Sequence, residues 1–463
     1  MRIVDGHRPV LTCGRRLATN STMFRKLLPV LSLVVFFWQA SGAEFKTPVT
    51  SITLKDGDTL VFLGDSITHQ CLYTQFIEDY YYTRYPNLQI HFHNAGVSGD
   101  KAFHALDRFD GDVAPFKPKY ITVLLGMNDG AYQHFNHEIF ATYEKDMTTL
   151  AGRIAELGAI GIFMGPTMYD SRVATVKPPR WLKNKEQIAQ ATMYYNALLA
   201  FYGTWARDAA LARGNGYVDM LGPLNQLTTQ ERLKKPDFTM IPDAVHPDAN
   251  GQAVMAFSVL EQMNANRSVT ALTANKLGSK WRVTSGTGKV SDVKGEGDTL
   301  GFKFKANALP WVLPPDAMTG YQLTKAGHKL SNERVVVRGL SPGKYGLKID
   351  GVEVGQYTHA QLGAKIELQS NEKTPQYQQA LEVAMLNKER NEKAVNPLRG
   401  QWSKRKGQRS RDVQTKDPKA YQEFYAKFEA EVKRLLKLKR DYEDRIYRIN
   451  QPKTREYQIF PVK

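Results

Sequence analysis

Between Thr59 and Asn264 the apolar residues fall into two alternating spacings. Thr59–Leu63 is short, apolar and β-branched, which predicts a buried strand. Leu72–Arg84 carries apolar and aromatic residues at helical spacing and stops before Pro86. Gln89–Asn94 alternates, with Ile90 and Phe92 set against His91 and His93, and reads as a second strand. Tyr120–Leu125 and Ala159–Met164 are continuous apolar strands, and Tyr217–Asp219 is a shorter one. Asn136–Leu157, Lys185–Ala212 and Asn250–Asn264 have the helical period. Strands alternating with helices predict an α/β fold whose parallel sheet is covered on both faces.

The pattern changes near Leu272. Trp281–Thr284, Thr299–Phe304, Arg334–Val337 and Tyr345–Ile349 are short strands between glycine-bearing turns, and Asp350-Gly351 predicts a two-residue hairpin into Val352–Val354. A small all-β unit is expected over residues 269–370. Past Asn371 helical spacing returns, and Tyr421–Ile449 places Phe424, Phe428, Val432, Leu435, Leu438, Tyr442 and Ile446 on one face. A helical tail over residues 371–463 is expected to dock on the α/β domain, 44–268, through that face and the Asn396–Gly400 stretch.

Charge sharpens the picture of the tail. The 463-residue chain has a formal charge of +17. Leu381–Lys463 holds 22 Lys and Arg against 12 Asp and Glu, so +10 of the excess lies there. The run Lys404-Arg405-Lys406 with Arg409 and Arg411 admits a polyanion or membrane-surface patch, but a solvated linker into the last helix is the expected reading. No nucleic-acid module is recognisable, and no nucleic-acid partner is expected.

At the other end, Arg25-Lys26, the apolar run Leu27–Trp38 and Ser41-Gly42-Ala43 form the three regions of a secretory signal, with Met1–Thr22 as an upstream extension. Cleavage after Ala43 and a secreted or periplasmic location are expected, without a stable membrane span. Loss of Cys13 would leave Cys71 alone, a buried small residue with no disulfide partner.

The chemistry sits just after the strands. Gly64-Asp65-Ser66 follows the first, where open α/β sheets put their ligands. Alone it admits a plain helix cap. Asn94-Ala95-Gly96-Val97-Ser98-Gly99-Asp100, Gly126-Met127-Asn128-Asp129 and Asp243-Ala244-Val245-His246-Pro247 supply the rest. Ser66 suits attack on an acyl carbonyl, His246 proton transfer, and Asp243 orientation of the imidazole. The N–H groups of Ser66 and Gly99 and the Asn128 amide suit an oxyanion hole. His91 and His93 lack a third ligand, so no metal is expected. Asp65, Tyr132, Tyr169 and Trp181 are candidates for a substrate groove, the aromatics as sugar platforms.

These four blocks, in this order, closely resemble those of the SGNH (GDSL-type) hydrolases over about Gly57–Asn264, with Ser66 matching the nucleophile. The resemblance implies a flavodoxin-like three-layer α/β/α domain, no cofactor, and ester hydrolysis. The β-rich unit and helical tail resemble those of large secreted bacterial members. The expected substrate is an acetylated polysaccharide or oligosaccharide. Small, aryl or lipid esters are the alternative, and a non-catalytic carbohydrate-binding envelope protein is a second.

Overall fold

A computed structural model of the chain describes residues 46–411 and 413–462. The expected export signal lies outside the described residues.

The short apolar runs become β1 (Thr59–Gly64), β2 (His91–Gly96), β3 (Tyr120–Leu124), β4 (Ile160–Met164) and β5 (Gly216–Val218). They pair in parallel in the order β2-β1-β3-β4-β5. Both faces are buried, which explains the unbroken apolar runs of β1 and β3. Helices Leu72–Arg84 and Ala249–Gln262 pack together on the sheet, as do Ala102–Asp112 and His137–Glu156. The strand order changes direction between β1 and β3. Such a switch opens a crevice beyond the carboxyl ends of those strands.

Two further sheets follow. β6 (Ser268–Leu277), β7 (Lys280–Ser285), β10 (Asn332–Arg338) and β13 (Ile366–Glu367) form one, in the order β13-β10-β6-β7. β8 (Gly288–Glu296), β9 (Thr299–Ala306), β11 (Lys344–Ile349), β12 (Val352–Thr358) and β14 (Arg455–Pro461) form the other, antiparallel and in the order β12-β11-β14-β9-β8.

Three expectations are corrected here. The tail is not helical to its end, because β14 inserts between β11 and β9, where Tyr457 and Ile459 enter their apolar core. Nor is 269–370 all β. Residues 307–331 pack on the catalytic domain, where the fully buried Trp311 donates its Nε1 hydrogen to Phe76 O at 2.9 Å. The basic run is not a solvated linker. It belongs to helix Asn396–Ser410, whose Leu398 and Trp402 form a small core with Val97, Phe428 and Leu435. Burial of such side chains contributes about 1.5–3 kcal/mol each.

The tail's positive charge acts on the edge of the parallel sheet. β2 is an outer strand whose free carbonyls would otherwise invite pairing. Lys439, from helix Pro418–Ile449, donates to Phe92 O at 2.6 Å, and Arg399 donates to Asn94 O at 2.6 Å. His91 contacts Glu443, and the buried His93 contacts Asp112 at 3.1 Å. The two histidines therefore meet different acids. Among the described residues, no three His, Cys, Asp or Glu side chains are grouped to hold a metal. Nor, among them, is any helix long and apolar enough to cross a membrane.

Candidate active site

Gly64 ends β1 and lets the chain turn into the short helix Ser66–His69. A Cβ at Gly64 would lie 2.2 Å from Thr68 Oγ1 and 2.8 Å from Leu124 O, so the turn requires glycine. Asp65 caps the helix by accepting from the Ile67 N–H at 2.9 Å, and Ser66 stands half-exposed at the carboxyl end of the strand. The helix-cap reading therefore holds for Asp65, while Ser66 has a different partner.

That partner comes from the loop between the 221–232 and 249–262 helices. His246 Nε2 lies 2.8 Å from Ser66 Oγ, and its Nδ1 lies 2.7 Å from Asp243 Oδ2. The other Asp243 oxygen accepts from the His246 and Val245 N–H groups at 2.7 and 3.0 Å. Partial burial alone would raise the Asp243 pKa. The hydrogen bonds from the His246 side chain and backbone outweigh it and hold the carboxyl at about 2. Asp243 thus stays ionised and fixes a proton on Nδ1, leaving Nε2 to accept from the serine hydroxyl. Ala244 takes φ +74, the left-handed region, to fold the aspartate back under the ring.

The other two blocks meet beside Ser66. Val97–Asp100 is a tight turn closed by Asp100 N–H to Val97 O at 3.1 Å, with Gly99 at φ +70. Asn128 donates through Nδ2 to Asp100 O at 3.0 Å and, at a long 3.4 Å, to Asp65 Oδ2, while Tyr132 donates its hydroxyl to Asn128 Oδ1 at 3.1 Å. Asp129 ties the third block to the helix after the second, accepting from the Ala102 and Gly126 N–H groups at 2.8 and 2.9 Å. Burial raises two carboxyls beneath the site, Asp65 to about 7 and Asp129 to about 6, against the pull of their backbone donors.

Four residues expected in a substrate groove separate by burial. Asp65 is 1% exposed, Tyr169 1% and Tyr132 7%, so these three support the site from behind and do not line its surface. Their spacing near the sheet edge was legible, but enclosure by the 185–212 helix, where Tyr195 stacks on Tyr132 at 4.8 Å, was not. Trp181 alone is exposed, at 45%, with its ring 5.7 Å from that of His246. Cys71 is buried, and burial pushes its thiol up to about 12, far from a working nucleophile.

Sequence reasoning missed the second turn's supports. His69 Nδ1 accepts from the N–H of Ser98 at 3.2 Å; burial, with the nearby Arg399 charge, lowers this histidine to about 4 and keeps it neutral. Arg108 donates to Asp100 at 2.8 Å and Asp112 at 2.7 Å, and Lys406 of the tail donates to Asp100 at 2.8 Å. Only the density of charges near 100–112 and 399–406 hinted at this.

The chain is similar to known proteins. The model of the GDSL-like lipase/acylhydrolase family matches residues 62–254. A gut microbial diltiazem-metabolizing enzyme, BT4096, is 26% identical, with a TM-score of 0.74 over 91% of this chain and all of that one. Axe2, an acetylxylan esterase from Geobacillus stearothermophilus, is 22% identical over 46% of this chain and 96% of its own, with a TM-score of 0.36. No curated protein matches. Residues 62–254 belong to the GDSL-like lipase/acylhydrolase family, and this chain is a carboxylic ester hydrolase.

Proposed function

We propose that this protein is an exported serine esterase that removes acyl groups, acetyl foremost, from carbohydrate esters. The observation that carries the mechanism is the Asp243–His246–Ser66 relay, with links of 2.7 and 2.8 Å. Ser66 Oγ attacks the acyl carbonyl carbon as its proton passes to His246 Nε2. The tetrahedral oxyanion is met by the N–H groups of Ser66 and Gly99 and by Asn128 Nδ2, whose long contact to Asp65 is the one most readily exchanged for substrate. His246 then protonates the leaving alcohol. It next takes a proton from water, which attacks the acyl-serine, and returns that proton to Ser66 Oγ as the acid leaves and the free enzyme re-forms.

Carbohydrate as the alcohol is supported by Trp181, the exposed ring beside His246, which offers an apolar face to a sugar. Export rests on the Arg25–Ala43 pattern. A second reading, a small-molecule ester as substrate, is favoured by the likeness to the diltiazem-metabolizing enzyme.

The test is acetate release from p-nitrophenyl acetate and from acetylated xylan, comparing the chain from Glu44 with Ser66→Ala. Ser66-dependent release from both supports the full reading. Release from the small ester alone favours the second. Full activity of Ser66→Ala overturns the mechanism.

A further inference from the structure

The Gly99 N–H is one half of a peptide group whose other half is the Ser98 carbonyl. A trans peptide is planar, so its N–H and C=O point in opposite directions. Whatever grips the Ser98 oxygen therefore aims the Gly99 hydrogen. In a turn closed from Asp100 N–H to Val97 O, with positive φ at Gly99, this central peptide is in the type II sense. Rotation of that one peptide gives the type I turn and turns the Gly99 N–H away. Glycine tolerates both forms, so residue type alone does not choose between them.

The choice is made from outside the catalytic domain. Lys406 Nζ, on helix Asn396–Ser410, donates to Ser98 O at 3.1 Å and to Asp100 Oδ1 at 2.8 Å. It thereby bridges the two residues flanking Gly99, and it lies 3.6 Å from where a Gly99 Cβ would stand. Its helix is held in place in the two turns before this contact. Arg399 is fully buried against Asp112, and Trp402 packs in the cluster that contains Val97, the first residue of the turn. Arg108 holds the second oxygen of Asp100, so the lysine meets a carboxylate already fixed in position.

We infer that Lys406 is a positioning residue for catalysis, a clamp carried by the C-terminal segment that holds the Ser98–Gly99 peptide with its N–H turned into the oxyanion hole. The inference rests on the Ser66 esterase reading. It gives the tail a function in the reaction, because the catalytic domain's own residues leave the Ser98 carbonyl without this donor.

The test uses the whole chain from Glu44, comparing the parent with Lys406→Met, Lys406→Arg and Arg409→Ala on p-nitrophenyl acetate. One oxyanion donor is worth about 10²–10³ in kcat, so a misaimed donor should cost Lys406→Met about 10- to 100-fold in kcat with KM changed less than about 3-fold. Affinity for an aryl boronate, which mimics the tetrahedral adduct on Ser66, should fall in parallel with kcat. Lys406→Arg keeps a donor of similar reach and should recover most of the loss. Arg409→Ala removes an exposed contact of the same helix to Asp107 and should leave kcat unchanged. A parental kcat for Lys406→Met overturns the inference. So does a loss shared by Arg409→Ala, which would point to general undocking, as would a loss of activity with unaltered boronate affinity. If Lys406→Met does not fold, the Lys406→Gln and Lys406→Arg pair decides by the same kcat difference. Ser66→Ala is run alongside: activity that survives it defeats the esterase mechanism itself, whatever Lys406 does.

Discussion

Replacing Arg399 with methionine should loosen the tail from the catalytic domain by a predictable amount. The side chain is wholly buried and donates to Asp112 through Nη1 and Nη2 at 2.9 and 2.8 Å, and to Asn94 O at 2.6 Å. Methionine keeps much of the stem and none of the donors. Removing one partner of a buried ion pair costs about 3–5 kcal/mol. Asp112 would still be held by Arg108 at 2.7 Å and His93 at 3.1 Å, which places the pair term at the lower end. The stranded Asn94 carbonyl adds about 1 kcal/mol or more. A loss of about 4 kcal/mol is a large share of the 5–15 kcal/mol that typically separates folded from unfolded protein.

Urea titration followed by tryptophan emission reads this directly, since the Arg399 guanidinium lies 5.8 Å from the Trp402 ring. The variant should show an early transition as helix Asn396–Ser410 undocks, or a lowered single midpoint. The defect should also shrink in acid. Burial would raise Asp112, but Arg399, His93 and Arg108 together hold its carboxyl below the ordinary value. Its contribution is therefore present above the unfolded pKa of about 3.9 and lost as pH falls through the folded one. A variant within about 1 kcal/mol of the parent at pH 7 would refute the reasoning, because losing one partner of a buried ion pair and stranding a buried carbonyl together cost more than that.

Two further outcomes follow from the same geometry. His246→Ala should lower kcat by about 10²–10⁴, as loss of a general base does, and Asp243→Asn should cost less if the aspartate only orients the ring; an equal or greater loss in the asparagine variant would assign Asp243 a larger role. Glu333 is completely buried, and burial raises its carboxyl to about 7 despite hydrogen bonds from Gln376 and Thr270. A raised acid favours folding below its unfolded pKa and loses that contribution as pH climbs through the folded value, so Glu333→Gln should stabilise the protein by up to about 3 kcal/mol at pH 8 and little at pH 4. Thermal midpoints at the two pH values check this, and an equal shift at both would sink the assignment.

Much of the catalytic domain was legible along the chain because its determinants are local. An apolar run of five residues is a buried strand wherever it lies, Gly64 must be glycine for its own turn, and Asp243 reaches His246 across three residues of one loop. The order of the four blocks marked one sheet edge. The fates of the charged and aromatic residues were not local. Tyr132 and Tyr169 sit in loops, as platforms would, yet helix Lys185–Ala212 encloses them. Arg399 lay in a stretch expected to dock and Lys406 in a run expected to be a solvated linker, and neither partner could be named, because their acids, Asp112 and Asp100, lie about 290 and 310 residues earlier in the chain. Burying a cation is costly until its partner is in place, and only the folded chain supplies that partner. The same holds for β14, whose two neighbours come from separate parts of the sequence. The sequence by itself determined the parallel sheet, the edge that carries the chemistry and the residues fit for acyl transfer. The tertiary structure decided that the C-terminal segment belongs to the site, since edge-strand carbonyls, buried carboxylates and a turn peptide acquire their donors only when distant elements meet.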